Sequence, residues 1–225
     1  MIKTRSDSTV ELIEWNATDV GVARSAKVSY GKDMDSRLED EAHVSGLIGF
    51  LVREKHLSPF DHGSATFLVE TPIFVAREIF RHRSSQFSEI SGRYTKWDFE
   101  FYVPSTERPI VQAGKAGNYS FESGTDTQHA LIIKGFEKAY GEALNTYEQL
   151  LDAGVAKEVA RDCLPLGMYT RFYFTLNIRN LMHFLNLRGS GNPQALYEIR
   201  EVADKMEEFF KEQMPLTHKA WKENR

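Results

Sequence analysis

The chain has 225 residues, of which 41% are hydrophobic and 27% charged, with a formal net charge of −4. That balance is the signature of an ordinary soluble globular protein and excludes disordered and fibrous chains. The negative charge also argues against a general nucleic-acid binder, since non-specific attachment to a phosphate backbone rests on excess Lys and Arg, so any anion site must be local. The single cysteine, Cys163, leaves no internal disulfide, and no Cys/His spacing resembles a zinc site, which points to a reducing cytoplasm. No apolar run behind the N-terminus suits a signal peptide, and no stretch of about 18 apolar residues suits a membrane span.

Thr9 to Trp15 alternates as a first strand, and Asp19 to Tyr30 reads as a helix with small residues on one face. Glu39 to His56 is a second helix, with Val44, Leu47, Ile48, Leu51 and Val52 at three- and four-residue spacing and Ser58-Pro59 ending it. Ser64 to Thr71 is a strand that sets Thr66, Leu68 and Glu70 opposite Phe67 and Val69. Pro72 suits a first helical turn, so Ile73 to about Arg83 reads as a buried helix with a basic end, followed by the Ser-rich stretch 84–91. Tyr94 to Val103 alternates aromatics as a strand does. Residues 104–127 lack periodicity and read as a loop or excursion. Gln128 to Asp152 is a long amphipathic helix closed by Ala153-Gly154, and Val155 to Leu164 a shorter one stopped by Pro165. Met168 to Leu176 is ambiguous between strand and helix. Asn177 to Leu187 is helical, a turn follows over Gly189 to Pro193, and Gln194 to Met214 is the last helix. With no repeat and no compositional break, residues 1–225 read as one α+β domain, helix-rich around a modest antiparallel sheet.

The densest chemical cluster is Arg81-His82-Arg83, then seven residues, then Ser91-Gly92-Arg93. One reading is a solvated surface that complements the C-terminal end of a helix. The other is a phosphate cradle, with guanidinium forks joined by serine hydroxyls and backbone N–H groups, and with Glu89 as its one acid. It is not a P-loop, and no G-x-G-x-x-G follows a strand. A second polar set comprises Arg161, Arg171, Asn177, Arg179, His183, Asn186 and Arg188. Arg179, His183 and Asn186 share one face of their helix, either as its solvated side or as a second anion contact. His56, Asp61 and His62 invite a metal reading, but H-x5-H is not a helical spacing and Pro59 interrupts it, which favours capping or ligand contact over a dedicated metal site. Cys163 sits before Leu164-Pro165, where a small buried structural thiol is the expected occupant rather than a nucleophile lowered in pKa by Arg161.

The pattern R-H-R-x7-S, carried here by Arg81, His82, Arg83 and Ser91, resembles the signature of the flavin-dependent thymidylate synthases. The resemblance extends to Pro59-Phe60-Asp61-His62, Pro72-Ile73-Phe74-Val75-Ala76-Arg77, Gly92-Arg93-Tyr94, Phe101-Tyr102-Val103-Pro104, Ala160 to Pro165, Tyr169-Thr170-Arg171-Phe172 and Asn186-Leu187-Arg188. It implies that family's fold and a homotetrameric FAD enzyme with shared active sites. Such an enzyme methylates dUMP to dTMP with 5,10-methylenetetrahydrofolate as methylene donor and NADPH as reductant of the flavin. By the resemblance, His56, Ser58, Arg81, His82, Arg83, Glu89, Asn177, Ile178, Arg179 and His183 contact FAD. Glu78, Ile79, Phe80, Arg81, Glu89, Ile90, Ser91, Gly92, Arg93, Arg161 and Arg188 hold dUMP, with Arg188 the catalytic residue that polarises the uracil at N3 and O2. A guanidinium beside developing negative charge suits that role, and hydride activation of the ring leaves no need for a cysteine nucleophile. His183 stands where some relatives carry Asn, and Gln194 stands near a position that is His in others. The competing readings are a non-catalytic nucleotide or RNA-phosphate binding module and a metal-dependent phosphohydrolase around His56, Asp61 and His62.

Overall fold

The computed structural model describes residues 2–31, 35–93, 99–115 and 118–225. In chain order these form β1 (Lys3–Arg5), β2 (Thr9–Trp15), α1 (Asp19–Lys27), α2 (Glu41–Arg53), β3 (Ser64–Pro72), α3 (Ile73–Ile79), β4 (Gln86–Glu89) and β5 (Glu100–Tyr102). They continue as β6 (Val111–Lys115), β7 (Asn118–Glu122), α4 (Asp126–Asp152), α5 (Lys157–Ala160), β8 (Tyr169–Asn177), α6 (Ile178–Arg188), α7 (Tyr197–Gln213) and α8 (Pro215–Glu223). The class is α+β, as expected. The main sheet has four strands in the order β2-β3-β8-β4, while β1 pairs with β5 in parallel and β6 with β7 antiparallel.

The chain forms two compact units, the first comprising Met1–Ser8, Glu70–Ile79 and Glu89–Arg171. Its core joins Phe101, Tyr140 and Met168, flanked by Ile2, Ile73, Phe99, Val103, Leu144 and Leu164. Phe101 stacks on Tyr140 at 5.0 Å between ring centroids. Gly167 is required beside them, because a Cβ there would sit 2.9 Å from Cζ of Tyr140. Glu70 joins two arginines, Arg5 at 2.6 Å and Arg171 at 2.6 Å. The long helix α4 begins at a capping box in which Thr125 and Gln128 satisfy each other's backbone N–H groups.

The second unit comprises Thr9–Val69, Phe80–Ser88 and Phe172–Arg225. Within β3, Ala65, Phe67 and Val69 are buried while Thr66 and Leu68 are half-buried, the alternation expected from sequence. On that less buried face Thr66 Oγ1 meets Thr175 Oγ1 across the strands at 2.9 Å. Phe67, Phe174, Phe184 and Phe210 are fully buried and anchor the core. Truncating one such ring to Ala costs about 3–5 kcal/mol. Helix α8 packs on α2, and Asp19 accepts from the backbone N–H groups of Leu216 and Thr217 at 3.1 and 2.9 Å, capping α8 from a distant segment.

Several sequence expectations need correction. The helix after Pro72 stops at Ile79, so Arg81-His82-Arg83 forms a turn closed by Arg83 N–H to Arg81 O at 3.0 Å. The Ser-rich stretch contains β4, and the 104–127 excursion contains the β6–β7 hairpin. Met168 to Leu176 resolves as strand β8 with Phe172, Phe174 and Leu176 pointing inward. The expected strand over Tyr94 to Val103 is seen at Glu100–Tyr102, its residues 94–98 lying outside the described set. Cys163 is exposed rather than buried, because α5 is only one turn and a 3-10 turn over Arg161–Cys163 follows it.

Candidate active site

In the second unit, helix α6 organises two adjoining cavities. Asn177 caps it, its Oδ1 accepting from Asn180 N–H at 2.8 Å, and Ile178, Leu181, Met182, Phe184 and Leu185 turn inward. The polar residues Arg179, His183 and Asn186 therefore share the outer face, as their spacing predicts. A cavity of about 360 Å³ is lined by Arg81, His82, Arg83, Ser84, Ser85, Asn180, His183, Leu187 and Arg188. Arg81 and Arg83 are exposed. Ser85 carries a buried hydroxyl with no hydrogen-bond partner among the described residues. Arg188 donates from Nε to His82 Nε2 at 3.2 Å, and the His82 ring stands edge-on to Phe184 at 4.9 Å. Burial, then the charge of Arg188 and the neighbouring His183, lower the His82 pKa from 6.5 to about 4. His82 is therefore neutral at pH 7, with Nε2 the acceptor and the ring proton on Nδ1.

The neighbouring cavity, about 690 Å³, is lined by Lys55, Asp61, Arg179, His183, Asn186 and Trp221 among others. Asp61 accepts from Asn177 Nδ2 at 3.0 Å and pairs with Arg179 Nη1 at 3.3 Å, so one carboxylate holds two of the expected cofactor residues. His56 and Ser58 lie exposed on the segment that also carries the cavity-lining Lys55 and Leu57. Trp221 donates from Nε1 to Asn186 at 3.1 Å.

In the first unit, a third cavity of about 340 Å³ is lined by Ile73, Glu89, Ile90, Gly92, Phe99, Tyr147, Arg161, Asp162, Leu164 and Met168. It gathers four of the expected substrate residues. Thr170 Oγ1 lies 2.5 Å from Glu89 Oε1. Burial of the Tyr147 ring raises its pKa, with a smaller contribution from Cys163. Glu78, Ile79, Phe80, Ser91 and Arg93 do not line these three cavities. Ile79 is wholly buried, and the half-buried Phe80 packs on Phe87 and Phe172. Ser91 Oγ accepts from Arg93 N–H at 3.4 Å.

The sequence reading did not assign Lys55, Ser84, Ser85, Asn180, Thr170, Tyr147 or Trp221. Ser84 and Ser85 carried a local signal, adjoining the basic triplet. Trp221 carried none, since its place beside Asn186 depends on how α8 packs.

The donor chemistry of these cavities, guanidinium forks with hydroxyls and a neutral imidazole, suits phosphorylated ligands with flat rings. Comparison with known proteins agrees. The family of thymidylate synthase complementing proteins matches residues 11–216. The flavin-dependent thymidylate synthase of Streptomyces coelicolor is 45% identical, with 99% of this chain and 94% of that protein covered. The enzyme of the same name from Tropheryma whipplei is 43% identical, with 96% and 92% covered. Among solved structures, the UMP/dUMP methylase PolB from Streptomyces cacaoi, bound with 5-Br dUMP, superposes with a TM-score of 0.91 at 41% identity and covers 98% of this chain and 97% of its own. These are nucleotide methyltransferases. The chain belongs to the flavin-dependent thymidylate synthase family. Among the described residues, no helix is long and apolar enough to cross a membrane.

Proposed function

We propose that the chain makes dTMP from dUMP, taking the methylene group from 5,10-methylenetetrahydrofolate and two reducing equivalents from NADPH by way of FAD. The single observation that carries this reading is the Arg81-His82-Arg83 turn, which shares one cavity with Arg188 and with the unpartnered hydroxyl of Ser85. A buried donor left unsatisfied costs about 1–3 kcal/mol, and a phosphate oxygen removes that penalty. The residues therefore fit the diphosphate of FAD. Arg81 and Arg83 would hold its charge, while Asn177, Arg179 and His183 would border its remaining length. FAD, when bound and reduced, supplies a hydride.

The protein's own part is position and charge. Glu89, Ile90, Gly92 and Arg161 line the nucleotide cavity, with Ser91 and Arg93 on the same segment. C5 of uracil becomes nucleophilic only when the ring is made electron-rich, and Arg188 stabilises the charge that develops on the ring. The neutral His82 supports that role by accepting from one edge of the guanidinium without adding a competing positive charge. No nucleophilic cysteine enters the scheme.

The active form in this reading is a homotetramer with sites shared between subunits. A long, mostly exposed helix supports association: α4 spans 27 residues, of which only His129, Tyr140 and Tyr147 are buried among those described, and Leu131 is 72% exposed. The single cysteine supports a cytoplasmic setting. An anaerobic assay tests the whole reading. Purified protein with FAD, NADPH, methylenetetrahydrofolate and dUMP should form dTMP, and a parallel arm with UMP measures tolerance of the 2′-hydroxyl. A folded protein that takes up no FAD returns the reading to a bare phosphate-binding module.

A further inference from the structure

Thr170 was assigned no role by the family resemblance and does not itself line the cavity, yet it is bonded directly to Glu89, which does. Its side chain is 3% exposed on β8, and its hydroxyl lies 2.5 Å from Oε1 of the exposed Glu89. A carboxylate can only accept, so the polarity is fixed and Thr170 donates. Next to this bond, Ile90 N–H donates to Arg171 O at 3.0 Å, and the Arg171 guanidinium is held by Glu70. The end of β4 is thus fastened to β8 by one backbone bond and one buried hydroxyl, on both sides of the Glu89–Ile90 peptide. A glutamate has three side-chain torsions, and an exposed one samples many rotamers. Threonine is β-branched, and its buried side chain has few alternatives.

We infer that Thr170 is a positioning residue for substrate, locking Glu89 so that its second oxygen, Oε2, faces the cavity that Arg161 also lines. The cavity then presents a pre-set acceptor beside a cation, the pairing that suits the N–H or hydroxyl edge and the phosphate of a pyrimidine nucleotide. The hydrogen bond is charge-assisted, so its loss frees the acceptor rather than merely loosening it. This inference rests on the thymidylate synthase reading for the identity of the ligand, and on the Thr170–Glu89 bond alone for its mechanism.

The test compares Thr170→Val, which keeps the shape and removes the donor, with Thr170→Ser, which keeps the donor. Calorimetric titration of the FAD-loaded enzyme with dUMP should show Thr170→Val binding about tenfold more weakly, the change produced by losing about 1.4 kcal/mol. Thr170→Ser should stay within about twofold of wild type, and KM should move more than kcat. In a Glu89→Ala background, Thr170→Val should add nothing further. Normal dUMP binding by a folded Thr170→Val protein overturns the inference, as does an equal loss with Glu89 absent. Should wild type bind no dUMP, the functional reading fails instead. The lock is then judged from unfolding midpoints of wild type, Thr170→Val, Glu89→Ala and the double variant, where coupling between the two positions supports it and strict additivity refutes it.

Discussion

Arg188 Nε–H and His82 Nε2 meet at 3.2 Å, with the imidazole the acceptor, and this contact ties the ionisation of one residue to the charge of the other. His82 has its pKa lowered from 6.5 to about 4, first by burial, then by Arg188 and by His183. Between those values the unfolded chain binds a proton at this position that the native protein refuses. Stability is therefore complete above pH 6.5 and declines as pH falls toward 4, below which the loss is constant. Partial solvent access to the ring reduces the effect to about 1–2 kcal/mol. Urea unfolding at pH 7, 5 and 4 measures it against His82→Gln, whose decline over that interval should be shallower. Equal declines in the two proteins would show that His82 is not the titrating group.

Arg188→Ala separates positioning from charge. FAD affinity should change little, dTMP turnover should fall about 10²–10³-fold, and the His82 pKa should rise because a nearby positive charge is gone. Stopped-flow turnover and NMR titration of the imidazole check the two halves independently. Unchanged turnover would remove Arg188 from the chemistry.

Asn177 does two jobs that one pair of variants pulls apart. Its Oδ1 caps α6 and its Nδ2 donates to Asp61. Asn177→Ala should lose about 1 kcal/mol of stability and weaken FAD binding, whereas Asn177→Ser should keep the cap and still weaken FAD binding. FAD titration of the apoprotein, followed by flavin fluorescence, gives the second quantity. A Ser variant with wild-type affinity would confine Asn177 to capping.

Cys163 offers a direct check on the absence of thiol chemistry. The residue is exposed, and its Sγ donates to Ala160 O at 3.2 Å. Cys163→Ala should change stability by no more than about 0.5 kcal/mol and retain dTMP formation. The native wild-type thiol should react fully with a small maleimide. Lost turnover in a folded Cys163→Ala protein would require a different activation of the pyrimidine.

Legibility followed the range of the interactions. The alternation Ala65, Phe67, Val69 and the spacing Arg179, His183, Asn186 are local periodicities, and both faces formed as read. Asn177, read from sequence as the first residue of that helix, turned out to be its cap. What stayed hidden was long-range or fine-grained. The helix after Pro72 ends at Ile79 because the triplet turns back on itself through Arg83 N–H to Arg81 O, an event no periodicity records. Thr170 in Tyr169-Thr170-Arg171 reads as an ordinary strand residue until the Glu89 carboxylate, 81 positions earlier in the chain, is placed against it. Asp61 was weighed as a metal ligand, and its partnership with Asn177 and Arg179 appears only once α6 is folded.

Helix α4 carries the last prediction, which concerns assembly. A 27-residue helix with three buried residues among those described leaves most of its surface open to solvent, including Leu131 at 72% and Phe136 at 37% exposed. Closed symmetric association covers such a surface, and a ligand as long as FAD gains a larger surface when several chains contribute to each site. Sedimentation velocity should give a tetramer for wild type at micromolar concentration, and Leu131→Glu, which buries a charge in any contact made there, should shift it to smaller species. Arg93→Ala and Arg188→Ala chains, co-expressed with different tags and purified through both, should recover dTMP formation above either parent, because some sites then receive both intact arginines. A wild-type monomer at that concentration would abolish the assembly, and confirmed mixed oligomers with no recovery would place Arg93 and Arg188 in service of one site from one chain.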